Sequence, residues 1–192
     1  MRVKRVRSYK KLSITGRQDM RKTKHTVFAL AAWLLLPLTG PVWASDAMDV
    51  PSGDVILTVS GTIDATNVDD TAQYDLEMLR ALPAASISTT TIWTDGVLMF
   101  TGVPLASLLE TLGSSGSTLR ASAINDYTIE IPVDSLEAEA PILAYEMNGT
   151  PMHRRDKGPL WVIYPFDSDP KYRTSQVHSR AVWQLDRIEV VE

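Results

Sequence analysis

Cysteine is absent from all 192 residues. That excludes a disulfide framework, a thiolate nucleophile and a thiolate metal ligand anywhere in the chain. Long hydrophobic runs are missing as well, since the longest, Val27 to Leu38, is shorter than the roughly 20 residues that cross a bilayer. No Gly-x-Ser-x-Gly, phosphate-binding glycine loop or dinucleotide fingerprint occurs, which leaves hydrolase, kinase and dehydrogenase readings without a motif. Repeats, coiled coils and low-complexity tracts are absent too. Only three histidines are present. His153 and His178 lack a paired spacing and fall short of the three or four protein ligands of a zinc site. Asp167 and Asp169 in "FDSDP" lack the 12-residue pattern of a calcium loop and read as a turn.

Basic residues become scarce once the N-terminal segment is set aside. Arg2 to Lys24 holds ten Lys/Arg against one acid, and the apolar run that follows ends in "TGPVWA". This is the pattern of a secretory leader cut after Ala44, so residues 1–44 are expected to be a signal peptide and the mature protein to be periplasmic. Met20, followed by "RKTKH", would begin a leader of ordinary length. An uncleaved anchor is the competing reading, disfavoured by the shortness of the run. The remaining 148 residues carry nine Lys/Arg and 22 Asp/Glu, a net charge of −13, so nucleic-acid binding is not expected.

Residues 45–53 read as a polar tether and 54–192 as one domain. "DVILTVSG" reads as a strand and "TAQYDLEMLRALP" as a short helix stopped by Pro83. "ASISTTTIW" is β-branched and ends at a turn, "TDG". "FTGVPLASLLETLG" places Leu105, Leu108, Leu109 and Leu112 on one helical face, with Gly113 beyond. "TLRASAI" and "YTIEIPV" form a hairpin around Asn125-Asp126, and "DSLEAEA" a short helix or turn. "ILAYEM" is a strand ended by Asn148-Gly149, and "PLWVIYP" and "AVWQLDRIEVV" are two more. The class is therefore α+β, a mixed sheet with a few short helices.

Six of the nine mature basic residues fall between 153 and 180: Arg154, Arg155, Lys157, Lys171, Arg173 and Arg180. Residues 45–152 hold only Arg80 and Arg120 against sixteen acids. Either the six are surface salt bridges to an acidic domain, or Arg and Lys in loops flanking a buried strand hold a phosphate or another planar anion.

"FTGVPLASLLETLG", "NDYTIEIPV", "ILAYEMNGTPMHRRDKGPLWVIYPFD" and "WQLDRIEV" follow one another in an order that resembles the oxidoreductase molybdopterin-binding domain, the sulfite-oxidase fold. The likeness covers nearly all of residues 55–191, and its most specific piece is "YEMNGTPM…GPLWVIYP". It implies loops that enclose a pterin with a phosphate-bearing tail. It places ten residues at that ligand: Trp93 and Thr94 after "SISTT", Asp126 and Tyr127 in the turn, His153, Arg155 and Lys157 in the basic loop, and Lys171, Tyr172 and Arg173 beyond. Two alternatives stay open. Trp93 stacks on the ring or packs as a core aromatic, and Asp126 accepts from the aminopterin edge or merely makes a turn.

The chain also departs from the family pattern. Where the family carries its molybdenum-ligating cysteine, this chain offers Thr89, Thr90, Thr91, Trp93 and Thr94, and the Arg that ends the family's Gly-x-Pro-Leu-Arg is replaced by Trp161. A hydroxyl is a poor substitute for a soft thiolate, so the expected ligand is a pterin without molybdenum. The resemblance then implies a non-catalytic periplasmic sensor acting on a membrane partner such as a cyclic-di-GMP enzyme. The alternative is an oxidoreductase that keeps the molybdenum cofactor without the usual cysteine.

Overall fold

The computed structural model describes residues 48–192; the leader, the Met20 alternative and the first tether residues lie outside them. Among the described residues, ten strands form one mixed sheet. They are β1 (Leu57–Gly61), β2 (Ala72–Tyr74), β3 (Ala85–Thr89), β4 (Leu98–Pro104), β5 (Thr118–Ala123), β6 (Thr128–Pro132), β7 (Ile142–Met147), β8 (Thr150–Pro151), β9 (Leu160–Ile163) and β10 (Trp183–Val191). Three short helices accompany them: α1 (Leu76–Ala81), α2 (Leu105–Thr111) and α3 (Ser175–Arg180). The main path runs β2-β1-β10-β9-β7-β4-β3.

β10 is the trunk of this sheet. It pairs in parallel with β1 from Thr58↔Arg187 to Gly61↔Val190, and antiparallel with β5 from Leu185↔Ala123 to Val191↔Thr118. Its first residues pair instead with β9, at Trp183↔Trp161 and Leu185↔Leu160. Both antiparallel registers shift at this point, and Gln184 takes φ +52°. A β-bulge re-aims side chains and lets neighbouring strands diverge. Here β9 takes over the side of β10 that β1 occupies further along. On the other side β5 leaves β10 beyond Leu185, so a fork opens between the end of β5 and the first residues of β10.

The sequence places most of these elements correctly. The α1 region is shorter than periodicity suggests, because Ala72–Tyr74 pairs with β1 and Asp75 then caps the helix through its carboxylate to the Met78 N–H (2.9 Å). α2 begins only after Pro104, since Leu98–Pro104 is a strand between β3 and β7; its Leu105, Leu108, Leu109 and Leu112 are buried as expected. Close strand approach explains Gly102, where a Cβ would lie 2.2 Å from the Leu143 carbonyl oxygen. Asn148 (φ +50°) and Gly149 (φ +72°) turn β7 into β8. The end of the expected tether is tied down, with the Ser52 and Gly53 N–H groups donating to the second Asp75 oxygen at 2.9 and 2.8 Å.

Two apolar clusters hold the sheet. The larger one gathers α1, α2, β1, β5 and β10 around Leu57, Leu79, Leu112, Leu119, Leu185 and Ile188. A smaller one packs Ile87, Phe100, Ile142, Ile163 and the fully buried Trp161. Trp93 packs against both.

Candidate functional site

The fork at β10 holds a cavity of about 290 Å³. Ala123 and Asn125 at the end of β5 form one wall, and Val182 and Trp183 at the start of β10 form another; Trp93, Tyr127 and His178 complete it. Trp93 is half-buried and meets four rings edge-on, with centroids at 5.4 Å for Trp183, 5.9 Å for Trp161 and His178, and 6.4 Å for Phe166. Such contacts contribute about 0.5–1.5 kcal/mol each beyond area burial. The two readings of Trp93 are therefore not exclusive: one part of the indole closes the core and another lines the cavity.

The Lys157 ammonium lies 4.5 Å from the Trp183 ring centroid and 5.3 Å from that of Trp161, within cation–π range. Its backbone is left-handed (φ +82°), as are those of Asp126 (φ +63°) and Gln184. Three such non-glycine residues around one fork cost about 1–3 kcal/mol each and persist because surrounding bonds over-determine them. Gln184 supplies several of those bonds. Its N–H donates to the Lys157 carbonyl (2.8 Å), its carbonyl accepts from the Ile124 N–H (2.9 Å), and its side-chain amide donates to the Arg154 carbonyl. The basic loop and the β5–β6 turn are both pinned to the trunk strand by this one residue.

Hydroxyls and one carboxylate brace the Trp93 loop. Asp167 accepts from the Thr90 N–H (2.6 Å) and Thr90 hydroxyl (2.8 Å), and its own N–H donates to the buried Thr89 hydroxyl (3.1 Å). The Thr90 amide, then the Thr90 hydroxyl, hold the Asp167 carboxyl below the usual carboxylate range. Thr91 and Thr94 hydroxyls bond each other at 2.8 Å, and Thr91 also accepts from the Trp93 N–H (3.1 Å). Where a thiolate would be needed for a metal, the chain offers hydroxyls already engaged with one another. Among the described residues no group of three or more His, Asp or Glu converges as a metal site.

A second cavity of about 170 Å³, lined by Thr90, Thr91, Ile92, Phe166, Asp167, Arg173 and His178, adjoins the same wall. His178 faces both cavities, stacked on Phe166 (centroids 5.1 Å, planes at 27°).

Of the ten residues placed at the ligand by sequence, Trp93 and Tyr127 line the fork, Lys157 sits on its aromatic rim, and Arg173 lines the adjoining cavity. Thr94 supports the loop from behind through Thr91. The others are placed elsewhere. Asp126 is exposed beside the cavity with its carboxylate 2.7 Å from Arg187, and exposed Arg155 pairs with Asp156 at 3.4 Å. The exposed His153 carbonyl accepts from the Asp156 and Gly158 N–H groups and so shapes the basic loop. Lys171 pairs with Glu137, and Tyr172 packs into the core against Tyr164. Sequence reasoning missed Trp183, Asn125, Gln184 and the cavity-lining role of His178. One signal was present: in "AVWQLDRI", buried Val182 and Leu185 are three residues apart, which breaks the period of two and marks a bulge.

The family profile described as the oxidoreductase molybdopterin binding domain matches residues 56–167. No curated protein matches the chain by sequence. Among solved structures, the chain is similar to the sulfane dehydrogenase SoxCD from Paracoccus pantotrophus, at 17% identity and a TM-score of 0.54 over 76% of this chain. The likeness spans 40% of that chain and concerns the fold.

Proposed function

The chain belongs to the oxidoreductase molybdopterin binding domain family, and we propose that it is an exported, non-catalytic pterin-binding protein that reports ligand occupancy to a membrane signalling partner. The observation that carries this reading is the fork cavity. Three aromatic side chains, Trp93, Tyr127 and Trp183, line a space of about 290 Å³ with Asn125 and His178 as polar groups. A flat bicyclic ring suits such walls, and the Asn125 amide can donate while its oxygen accepts. Lys157 on the rim and Arg173 in the adjoining cavity would hold a negatively charged tail. Bound molybdenum cofactor would supply two-electron redox chemistry. Here the hydroxyls of Thr89, Thr91 and Thr94 are committed to neighbours, so the chain's own groups bind and orient a ring and contribute no thiolate to a metal.

A sensory role needs a partner that binds one occupancy state better than the other. The periplasmic domain of a membrane cyclic-di-GMP enzyme is the partner proposed. Family membership supports a second reading, an oxidoreductase that retains molybdenum on its dithiolene. The deciding experiment is a calorimetric titration of residues 45–192 with a reduced pterin, alongside metal analysis of protein exported from cofactor-competent cells. Saturable micromolar binding with no molybdenum favours the sensor; stoichiometric molybdenum favours the enzyme.

A further inference from the structure

β3 ends the main path of the sheet, and its outer edge carries no backbone partner among the described residues. Open edges are normally blunted by charge, proline, shortness or cover. The other edges of this sheet are blunted. β2 is three residues long, and the Asn67 amide closes its outer side by bonding both the N–H and the C=O of Gln73 at 2.8 Å. β6 carries Glu130 and ends at Pro132, and β8 is two residues with Pro151. β3, "ASIST", has five residues with no charge, no proline and no bulge in its pairing with β4.

Beside Ala84–Ile87 lies an open groove of about 710 Å³, whose far wall is the turn Glu137–Ala140 with Pro165, Ser168 and Tyr172. Its lining is mostly Ala, Ser and Pro, small enough for another backbone to come close to β3. Glu139 on that wall is exposed and unpaired among the described residues, whereas Glu137 is engaged by Lys171. Residues 45–152, which supply β3 and the Glu137–Ala140 turn, carry sixteen acids against two arginines. At its far end β3 runs directly into the Trp93 loop, held there by Asp167 at Thr90.

We propose that the free edge of β3 is the docking site for an extended, lysine- or arginine-bearing segment of the partner protein, which joins the sheet as an added strand. The proposal rests on the sensory reading and specifies its contact. Backbone pairing along Ala85–Ser88 supplies the grip, Glu139 selects a basic residue, and the continuity of β3 with the Trp93 loop links the docked strand to the fork cavity.

The test uses amide hydrogen exchange on the ligand-free mature protein with two ten-residue probes, one alternating valine and lysine and the other valine and glutamate. The lysine peptide is expected to slow exchange at outward-facing amides within Ala85–Ser88 at least tenfold, the glutamate peptide to leave them unchanged, and Glu139→Lys to remove the protection. Equal effects of both peptides, or protection elsewhere, would overturn the proposal. So would protection that appears without peptide and grows with protein concentration, which would make a second copy the occupant. Pterin affinity of Glu139→Lys is read separately and is expected to be unchanged. Protection by the lysine peptide in a protein that binds no pterin would keep the docking edge and remove only the pterin reading.

Discussion

Trp93 bears on both the core and the cavity, so its removal should be felt twice. Trp93→Ala is expected to weaken pterin binding about tenfold, near 1.4 kcal/mol, and to lower thermal stability as four ring contacts are lost; calorimetry and a melting curve read the two effects apart. Trp161, fully buried and donating its indole N–H to the Ala181 carbonyl at 3.1 Å, has a purely structural burden. Trp161→Ala should cost about 3–5 kcal/mol, measured by urea unfolding. Protonation gives a third expectation. Asp75 and Asp167 both have folded pKa values depressed, chiefly by the amides of Met78 and Thr90 respectively. Their stabilisation is thus complete above the unfolded carboxyl value of about 4 and is lost as pH falls through the lower folded values. Asp167→Asn should flatten part of that acid limb in unfolding followed from pH 6 to pH 2. The basic loop was legible at this scale because six cations in an acidic chain stand out by count, but count carries no direction. Lys157 turns onto the Trp rings and Arg173 into the adjoining cavity, while Arg155 and Lys171 find local carboxylates.

Among the elements, β1, β3, β5, β6, β7, β9, β10 and α2 could be read from period, β-branched runs and turn chemistry, whereas β2, β4 and β8 could not. The fork could not, since it depends on β10 changing partners partway along, and pairing between residues some 60 positions apart leaves no local pattern. Gln184 is where this shows most clearly. A glutamine inside a strand reads as a solvent-facing filler, yet its left-handed backbone and three hydrogen bonds join the basic loop, the β5–β6 turn and β10. Gln184→Gly keeps the permitted backbone and removes only the amide to Arg154. It is expected to change global stability by no more than about 1 kcal/mol while accelerating hydrogen exchange in residues 154–158 severalfold. Gly102→Ala should do the opposite, forcing β4 from β7 by a contact of 2.2 Å and destabilising the whole domain.

For the molecule as a whole, the excess of acid over base follows from composition, the class from the pattern of strand and helix segments, and the family from the order of four of them. What composition cannot give is that a net charge of −13 over residues 45–192 surrounds a cavity with Lys157 on its rim. Anion recognition should accordingly stay confined to the cavity: a fragment of residues 45–192 is expected to show no gel shift with duplex DNA at 0.1 M salt.

The trunk strand also sets a clock. β1, among the first residues of the domain to be made, pairs with Thr58 against Arg187, and the fork closes only when Trp183 and Leu185 arrive. Pairings of such long sequence separation are slow to form because loop closure precedes any gain from contact. Until residues 183–191 exist the sheet has no centre: the β1–β2 and β5–β6 pairs and the strands around β7 and β9 have no common strand to join them. The chain therefore cannot complete this sheet until residues 183–191 have been made, and the fork is the last part of the domain to be assembled.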